Sequence, residues 1–439
     1  MSALARFFRL KGYAVAGYDR VISPLCEELR SEGIPVSDDP AVSAVPESML
    51  NRRNTLVVVT PAVPHDHPQL LMFREQGFTI MKRSEVLGML TKGMRALCVA
   101  GTHGKTTTST ILAHLLHQSE CGCNAFLGGI STNYNSNLLV DAGSSLVVVE
   151  ADEYDRSFLH LHPYMAVVTN RDPDHLDIYG TAEAYRAGFV DFVRLIKPGG
   201  ALIAKKGVFS TEELKGLKVK VMTYAVDEAA DFYADNISIS PSGIKFDFHT
   251  PTELVSDLIL GVPVKINIEN SVAAMAVAWL NGVSVHELRA GLSSYSGIYR
   301  RFNVLCREGR NVVIDDYAHH PAEIRASIDS VRSAYKGKKI VGVFQPHLYT
   351  RTRDFADGFA RELSALDEVI LLPIYPAREE PIEGVDSSML LNKITTADKL
   401  LCQKDELTDY LKKYSGCVIL MLGAGDIDRL SPIVAEENK

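Results

Sequence analysis

Short apolar runs alternate with helix-length stretches along almost the whole chain, the pattern of parallel α/β sheets. In the first unit, residues 13–18 and 56–59 read as strands. The apolar run 96–100 begins a second unit, which continues through strands at 146–149 and 166–169 and a β-rich stretch at 237–263. An Ala-rich helix over residues 271–280 closes it. Further strands at 312–314, 340–344, 369–372 and 418–421 form a third unit. The expected domains are 1–94, 95–296 and 297–439. Residues 1–12 predict a helix stopped by Gly12, followed at once by a strand. A doubly wound domain would place a strand and a glycine turn before that helix, so the chain reads as beginning inside a larger domain.

With 439 residues, 46% hydrophobic and 23% charged, the chain has globular composition and room for two or three domains. A net charge of −8 without a long basic run argues against nucleic acid as a partner and requires local positive charge for any anionic ligand. No apolar run approaches the ~18 residues of a membrane helix, which makes a cytoplasmic protein with no membrane partner the expectation. Seven scattered cysteines lack metal or redox spacing and read as free thiols.

The chemistry concentrates at G-T-H-G-K-T-T-T, Gly101 to Thr108, between an apolar strand and a helix-like run. Glycines that let backbone N–H groups close on phosphate, together with a helix N-terminus, make an anion cradle. Lys105 can reach terminal phosphates and the Thr106 hydroxyl can ligate magnesium. Val99 stands where the usual first glycine of such a loop would be, and the bland alternative is a tight turn with an incidental lysine. Glu150, in E-A-D-E after a strand, is a candidate magnesium ligand, against a solvated acidic turn. His175, in T-N-R-D-P-D-H-L-D, is a weaker candidate for a second magnesium beside Asp174 and Asp177.

Asn267 and Asn270 could face an adenine edge or merely cap the Ala-rich helix. An arginine of Arg300-Arg301-Phe302, at a domain boundary, could reach a γ-phosphate or form a surface ion pair. In the third unit, D-D-Y-A-H-H-P (315–321) and Q-P-H-L-Y-T-R-T-R (345–353) follow strands, where open α/β sheets bind ligands. Their histidines and arginines could recognise a small carboxylate; a zinc site is the rival, unsupported by any paired-ligand helix motif.

Together with N-x-x-N, R-R-F and G-A-G-D-I (423–427), these segments resemble the Mur ligase family, in family order and over nearly the whole chain. The resemblance implies a three-domain α/β architecture: a Rossmann-like N-terminal domain lacking its first strand and glycine loop, a central P-loop ATPase domain and a Rossmann-like C-terminal domain. It implies an ATP-dependent ligase joining L-alanine to UDP-N-acetylmuramate through an acyl phosphate, with ATP as substrate, Mg2+ as cofactor and a monomer or weak homodimer as the working state. A relative that adds a tripeptide and a catalytically idle nucleotide-binding protein are the alternatives.

By resemblance, Gly101, Thr102, His103, Gly104, Lys105, Thr106 and Thr107 hold the phosphates; Thr106, Glu150 and His175 serve metal; Asn267 and Asn270 face adenine. Arg301 meets the γ-phosphate and Asp316 the ribose; Lys105, Glu150, His175 and Arg301 form the catalytic set. Tyr317, His319, His347 and Arg351 form the alanine pocket, with Gly128 and Gly129 on the muramate side beside His103. The chain departs from the family pattern by starting at M-S-A-L-A without the preceding glycine loop. It also has Leu348 where many members have arginine, and Ile266 where a histidine is common.

Overall fold

The computed structural model describes residues 1–439 apart from Arg378 and the side chain of Asp177. Its centre is a ten-stranded sheet whose middle strand, Arg95–Ala100, is buried along its length after Arg95. Such a continuous apolar run suits a parallel strand covered on both faces. Leu146–Glu150 pairs with it on one side and Pro163–Val168 on the other, both parallel. The register sets Val99 opposite Glu150 and Ala100 opposite Val168, so three carboxyl ends stop at one level. Helix Lys105–His117 leaves the central strand after a four-residue loop and packs against helix Ile266–Leu280 in the main core. The outer strands Phe232–Ser240, Gly243–His249 and Leu254–Leu260 are antiparallel and make up the expected β-rich stretch.

The third region carries a six-stranded sheet, parallel except for its edge strand Asn303–Cys306. Asp316 and Phe344 both lie opposite Leu422, which aligns the ends of three of its strands. Helix Pro321–Ala334 starts there under a capping box: His320 caps Ala322 N while Glu323 accepts from His320 N at 3.2 Å.

The first region differs from expectation in extent. The predicted strand at 13–18 pairs only over Gly17–Tyr18, with Val36–Ser37, because its earlier residues find no neighbouring strand among the described residues. Leu56–Val59 pairs with Thr79–Lys82 as a separate two-stranded parallel ribbon. The opening helix, Ser2–Leu10, ends as predicted, with Gly12 at φ 87° and its N–H on the Arg9 carbonyl. Its Ala3, Leu4 and Phe7 join the core under the central sheet, where Phe7 meets Phe126 edge-on at 5.3 Å. The Ala-rich helix starts at Ile266, five residues earlier than its composition suggests, with Asn267 and Asn270 buried in its first turns. Among the described residues no helix is long and apolar enough to cross a membrane.

Candidate active site

Close contacts leave no room for a side chain at either glycine of the loop Gly101–Gly104. Gly101 and Gly104 adopt φ of 136° and 81°. A Cβ at Gly101 would overlap the Thr169 hydroxyl, and one at Gly104 would lie 2.5 Å from Asn270 Oδ1. Thr169 and Asn170, at the end of the neighbouring strand, brace the loop: Thr169 Oγ1 donates to the His103 carbonyl at 2.6 Å, and Asn170 Oδ1 accepts from His103 N at 2.9 Å. Thr102 Oγ1 lies 2.8 Å from the Tyr185 hydroxyl and donates to the Asp172 carbonyl at 2.7 Å. Thr107 is half-buried and His103 exposed at the mouth.

Lys105 leans back over this loop, donating to the Gly101 carbonyl at 2.7 Å and to Glu153 Oε1 at 2.9 Å. Glu153 is buried, and the sequence reading passed it over although it stands in the same E-A-D-E run as Glu150. Thr106 Oγ1 donates to Glu150 Oε1 at 3.1 Å. The other oxygen, Glu150 Oε2, is enclosed without a hydrogen-bond partner. Desolvation pushes the Glu150 carboxyl above its usual range, against the pull of Lys105, Thr106 and Arg301. Gly128 lies directly against this carboxylate, and Gly129 stacks between Thr106 and Ile298. A hydroxyl beside an orphaned buried carboxylate oxygen, next to a phosphate cradle, is a hard oxygen donor set of the kind magnesium takes.

His175 is set apart from this pair. It takes φ 51° before the short helix Leu176–Tyr179, stacks edge-on with Tyr154 at 5.1 Å, and has Asp174 Oδ2 3.8 Å from its Nε2. Asn267 and Asn270 do not cap their helix, whose N-cap is Lys265; the capping alternative is therefore corrected. Asn270 Nδ2 instead donates to Asn267 Oδ1 at 3.2 Å, while its Oδ1 accepts from Thr108 at 3.2 Å, which ties this helix to the phosphate loop.

Arg300 and Arg301 divide their work. Arg300 is committed to the third region: it donates to the Gly423 carbonyl at 2.7 Å, pairs with Asp428 at 3.3 Å and lies 4.8 Å from the centre of the Tyr317 ring. The Arg301 side chain makes no hydrogen bond or ion pair among the described residues, yet its charge works against the burial that raises both the Glu150 and Asp316 carboxyls. Asp316 hydrogen-bonds Ser327, and burial raises its carboxyl to about 6.

Across this junction the third-region candidates touch in series. Tyr317 meets His319 edge-on at 5.1 Å, and His319 meets His347 at 6.4 Å. His347 Nδ1 is 3.2 Å from Arg351 Nη1, so the imidazole must be neutral there to accept. Desolvation first, then Arg351, bring His347 down to about 4; burial also lowers His319. Tyr375, absent from the sequence reading, stacks on His347 at 5.7 Å and 18°. Its position just beyond strand Glu368–Leu371 was the available signal. Gln345 is fully buried and binds Asp426, which Lys404 also meets at 2.5 Å. No cluster of three His, Cys, Asp or Glu side chains arranged for a metal occurs among the described residues.

Three families match the chain in succession: Mur ligase family, catalytic domain, over residues 1–95; Mur ligase middle domain over 99–278; and Mur ligase, glutamate ligase domain, over 300–425. The UDP-N-acetylmuramate–L-alanine ligase of Parabacteroides distasonis is 56% identical over 99% of this chain and 94% of its own length. That of Porphyromonas gingivalis is 54% identical over 98% of this chain and 94% of its own. Among solved structures, the UDP-N-acetylmuramate–alanine ligase of Thermotoga maritima superposes with a TM-score of 0.84 at 27% identity, covering 100% of this chain and 96% of that one. A murein peptide ligase from Psychrobacter arcticus shares the fold at a TM-score of 0.70 and 23% identity, over 99% and 96% of the two chains. The chain belongs to the Mur ligase family.

Proposed function

We propose that this protein is an ATP-dependent ligase that joins L-alanine to UDP-N-acetylmuramate in peptidoglycan precursor synthesis. The observation that carries the reading is the grouping of a phosphate loop, an orphaned buried carboxylate and an arginine with no side-chain partner among the described residues, together with the contact series of neutral imidazoles and Arg351 in the third region. In this reading residues 1–94 bind the UDP-sugar, 95–296 bind ATP and 297–439 bind the amino acid.

A carboxylate is a poor electrophile at neutral pH, so the muramoyl carboxylate attacks the γ-phosphorus of ATP, forming an acyl phosphate and ADP. The alanine amine then adds to the acyl carbon, and the tetrahedral intermediate expels phosphate. The loop N–H groups of Gly101 to Thr107 and Lys105 hold the β- and γ-phosphates, while Arg301 offsets charge that builds on the transferred group. Asn267 and Asn270 face adenine and Asp316 the ribose hydroxyls; Gly128 and Gly129 border the muramate side. Thr106 and Glu150 would hold Mg2+, with His175 serving a second ion; the metal supplies phosphate charge neutralisation. Arg351 binds the alanine carboxylate within a wall of Tyr317, His319 and His347. An imidazole kept neutral avoids repelling the amine as an imidazolium would.

ATP and nucleotide-linked sugars are cytoplasmic metabolites, which puts the reaction in the cytoplasm, with a monomer or weak homodimer as the working state. The test is phosphate release from Mg-ATP with UDP-N-acetylmuramate, with and without L-alanine. Release that depends on both acceptor substrates is expected; release indifferent to alanine, or replaced by tripeptide-dependent release, would refute the assignment.

A further inference from the structure

The segment after strand Leu146–Glu150 brings two carboxylates to the phosphate loop, and they take different partners. Glu150 meets the Thr106 hydroxyl. Glu153 meets the ammonium of Lys105, with Nζ 2.9 Å from Oε1 and 2.7 Å from Oε2, and is only 1% exposed. Its backbone is pinned. The Glu153 carbonyl accepts from the Tyr179 hydroxyl at 2.7 Å and from Arg156 N at 3.0 Å, while Ala151 N donates to the Val99 carbonyl at 2.8 Å. The backbone that carries the carboxylate is thereby fixed beside the loop. The remaining acceptors of Lys105 are the carbonyls of Gly101 and Thr102, at 2.7 and 3.3 Å. An ammonium has three hydrogens, and here protein acceptors surround all of them. A phosphate that engages Lys105 must displace one of these, and the partner it repels is the charged one.

We propose that Glu153 is the exchange partner of Lys105: a positioning residue that holds the ammonium before nucleotide arrives and competes with phosphate for it afterwards. The inference rests on the nucleotide reading of the loop given above. Competition weakens nucleotide binding and returns the lysine to Glu153 as ADP leaves, which favours product release.

The test compares the full-length protein with Glu153→Gln, which keeps an acceptor and removes the charge. Titration calorimetry with Mg-ADP should show at least tenfold tighter binding in the variant, while the nucleotide-free protein melts a few degrees lower. In turnover, kcat should fall together with the KM for ATP. A side chain with a merely structural role would move affinity the other way, so unchanged or weaker Mg-ADP binding by a folded variant overturns the proposal. Glu153→Asp shortens the reach and keeps the charge; it should bind Mg-ADP more tightly than wild type, but by less, and equal or weaker binding counts against the proposal on its own. Failure of the wild-type protein to bind Mg-ADP would overturn the nucleotide reading and this inference with it. Wild-type binding with a weaker variant overturns the inference alone.

Discussion

At Gly128 a missing side chain decides the chemistry of its neighbour. Any Cβ there would overlap the Glu150 carboxylate, the group that meets Thr106 across the phosphate loop. Gly128→Ala should push Glu150 aside and lower kcat by at least tenfold, with a melting temperature within a few degrees of wild type. Steady-state phosphate release and a melting curve check both halves. His347 presents the complementary case, a ring whose protonation is set by its surroundings. With its pKa brought down to about 4, it stays neutral from pH 5 upward and accepts from Arg351. His347→Ala should raise the KM for alanine at least tenfold and leave Mg-ADP affinity unchanged; equal loss of nucleotide binding would remove His347 from the amino-acid pocket.

At the scale of elements, helix Lys105–His117 carries the phosphate loop at one end and a buried histidine in its last turns. His114 Nδ1 lies 2.8 Å from the Tyr134 hydroxyl and Nε2 lies 3.0 Å from Ser294 Oγ. Gln118 donates to the same tyrosine oxygen at 3.2 Å, and Ser294 donates to the Gly291 carbonyl at 3.1 Å. The chain of donors therefore runs from Gln118 through Tyr134, His114 and Ser294 to Gly291, and it requires a neutral ring protonated on Nε2. Burial lowers this histidine to about 4 from 6.5. Between those values the unfolded chain binds the proton and the folded one does not, so stability rises with pH across the window. The contribution is complete above pH 6.5 and is lost as pH falls towards 4, by at most about 3 kcal/mol. His114→Gln should flatten the wild-type loss of urea stability between pH 7 and pH 5. The edge strand Leu254–Leu260 shows another element-level device: Arg289 donates to the carbonyls of Ser256 and Asp257, both at 2.8 Å, occupying groups that could otherwise pair with another chain.

On the scale of the whole molecule, the stretch from Gly297 to Phe302 joins two sheets and uses positive φ at Gly297, Arg300 and Phe302 to do so. It is tied to the central sheet through Thr132 N on the Gly297 carbonyl and a bridge between Ser131 and Ile298. It is tied to the third region by Arg300. Arg307 adds a contact back across, donating to the carbonyls of Pro241 and Gly261 at 2.8 and 3.1 Å. Arg301 is thus held where its charge acts on carboxylates of both regions. Arg301→Met should reduce kcat by about a hundredfold or more, the scale of losing one preorganised charge at a transition state. Mg-ADP affinity should change less than threefold, because the lost contact belongs to the γ-phosphate. A large loss of ADP binding would move Arg301 to another role.

The chain by itself determined the features written in contiguous residues. Buried strands are near-continuous apolar runs, so the central strand and the parallel core of the third region were legible from periodicity. Glycine, lysine and threonine in one short loop were legible for the same local reason, as were the carboxylate and the histidine-rich segments at strand ends. Tertiary structure alone decided who meets whom. Lys105 and Glu153 are 48 residues apart, and Thr108 and Asn270 are 162 apart. Nothing local shows that Glu153 meets Lys105, or tells a helix-capping Asn from one turned onto a phosphate loop. Strand register made those choices, by ending three strands at one level and directing their loops inward. The extent of the first region's strands was equally out of reach, because a strand lasts only as far as a neighbour supplies hydrogen bonds, and that neighbour is not encoded in the strand's own residues.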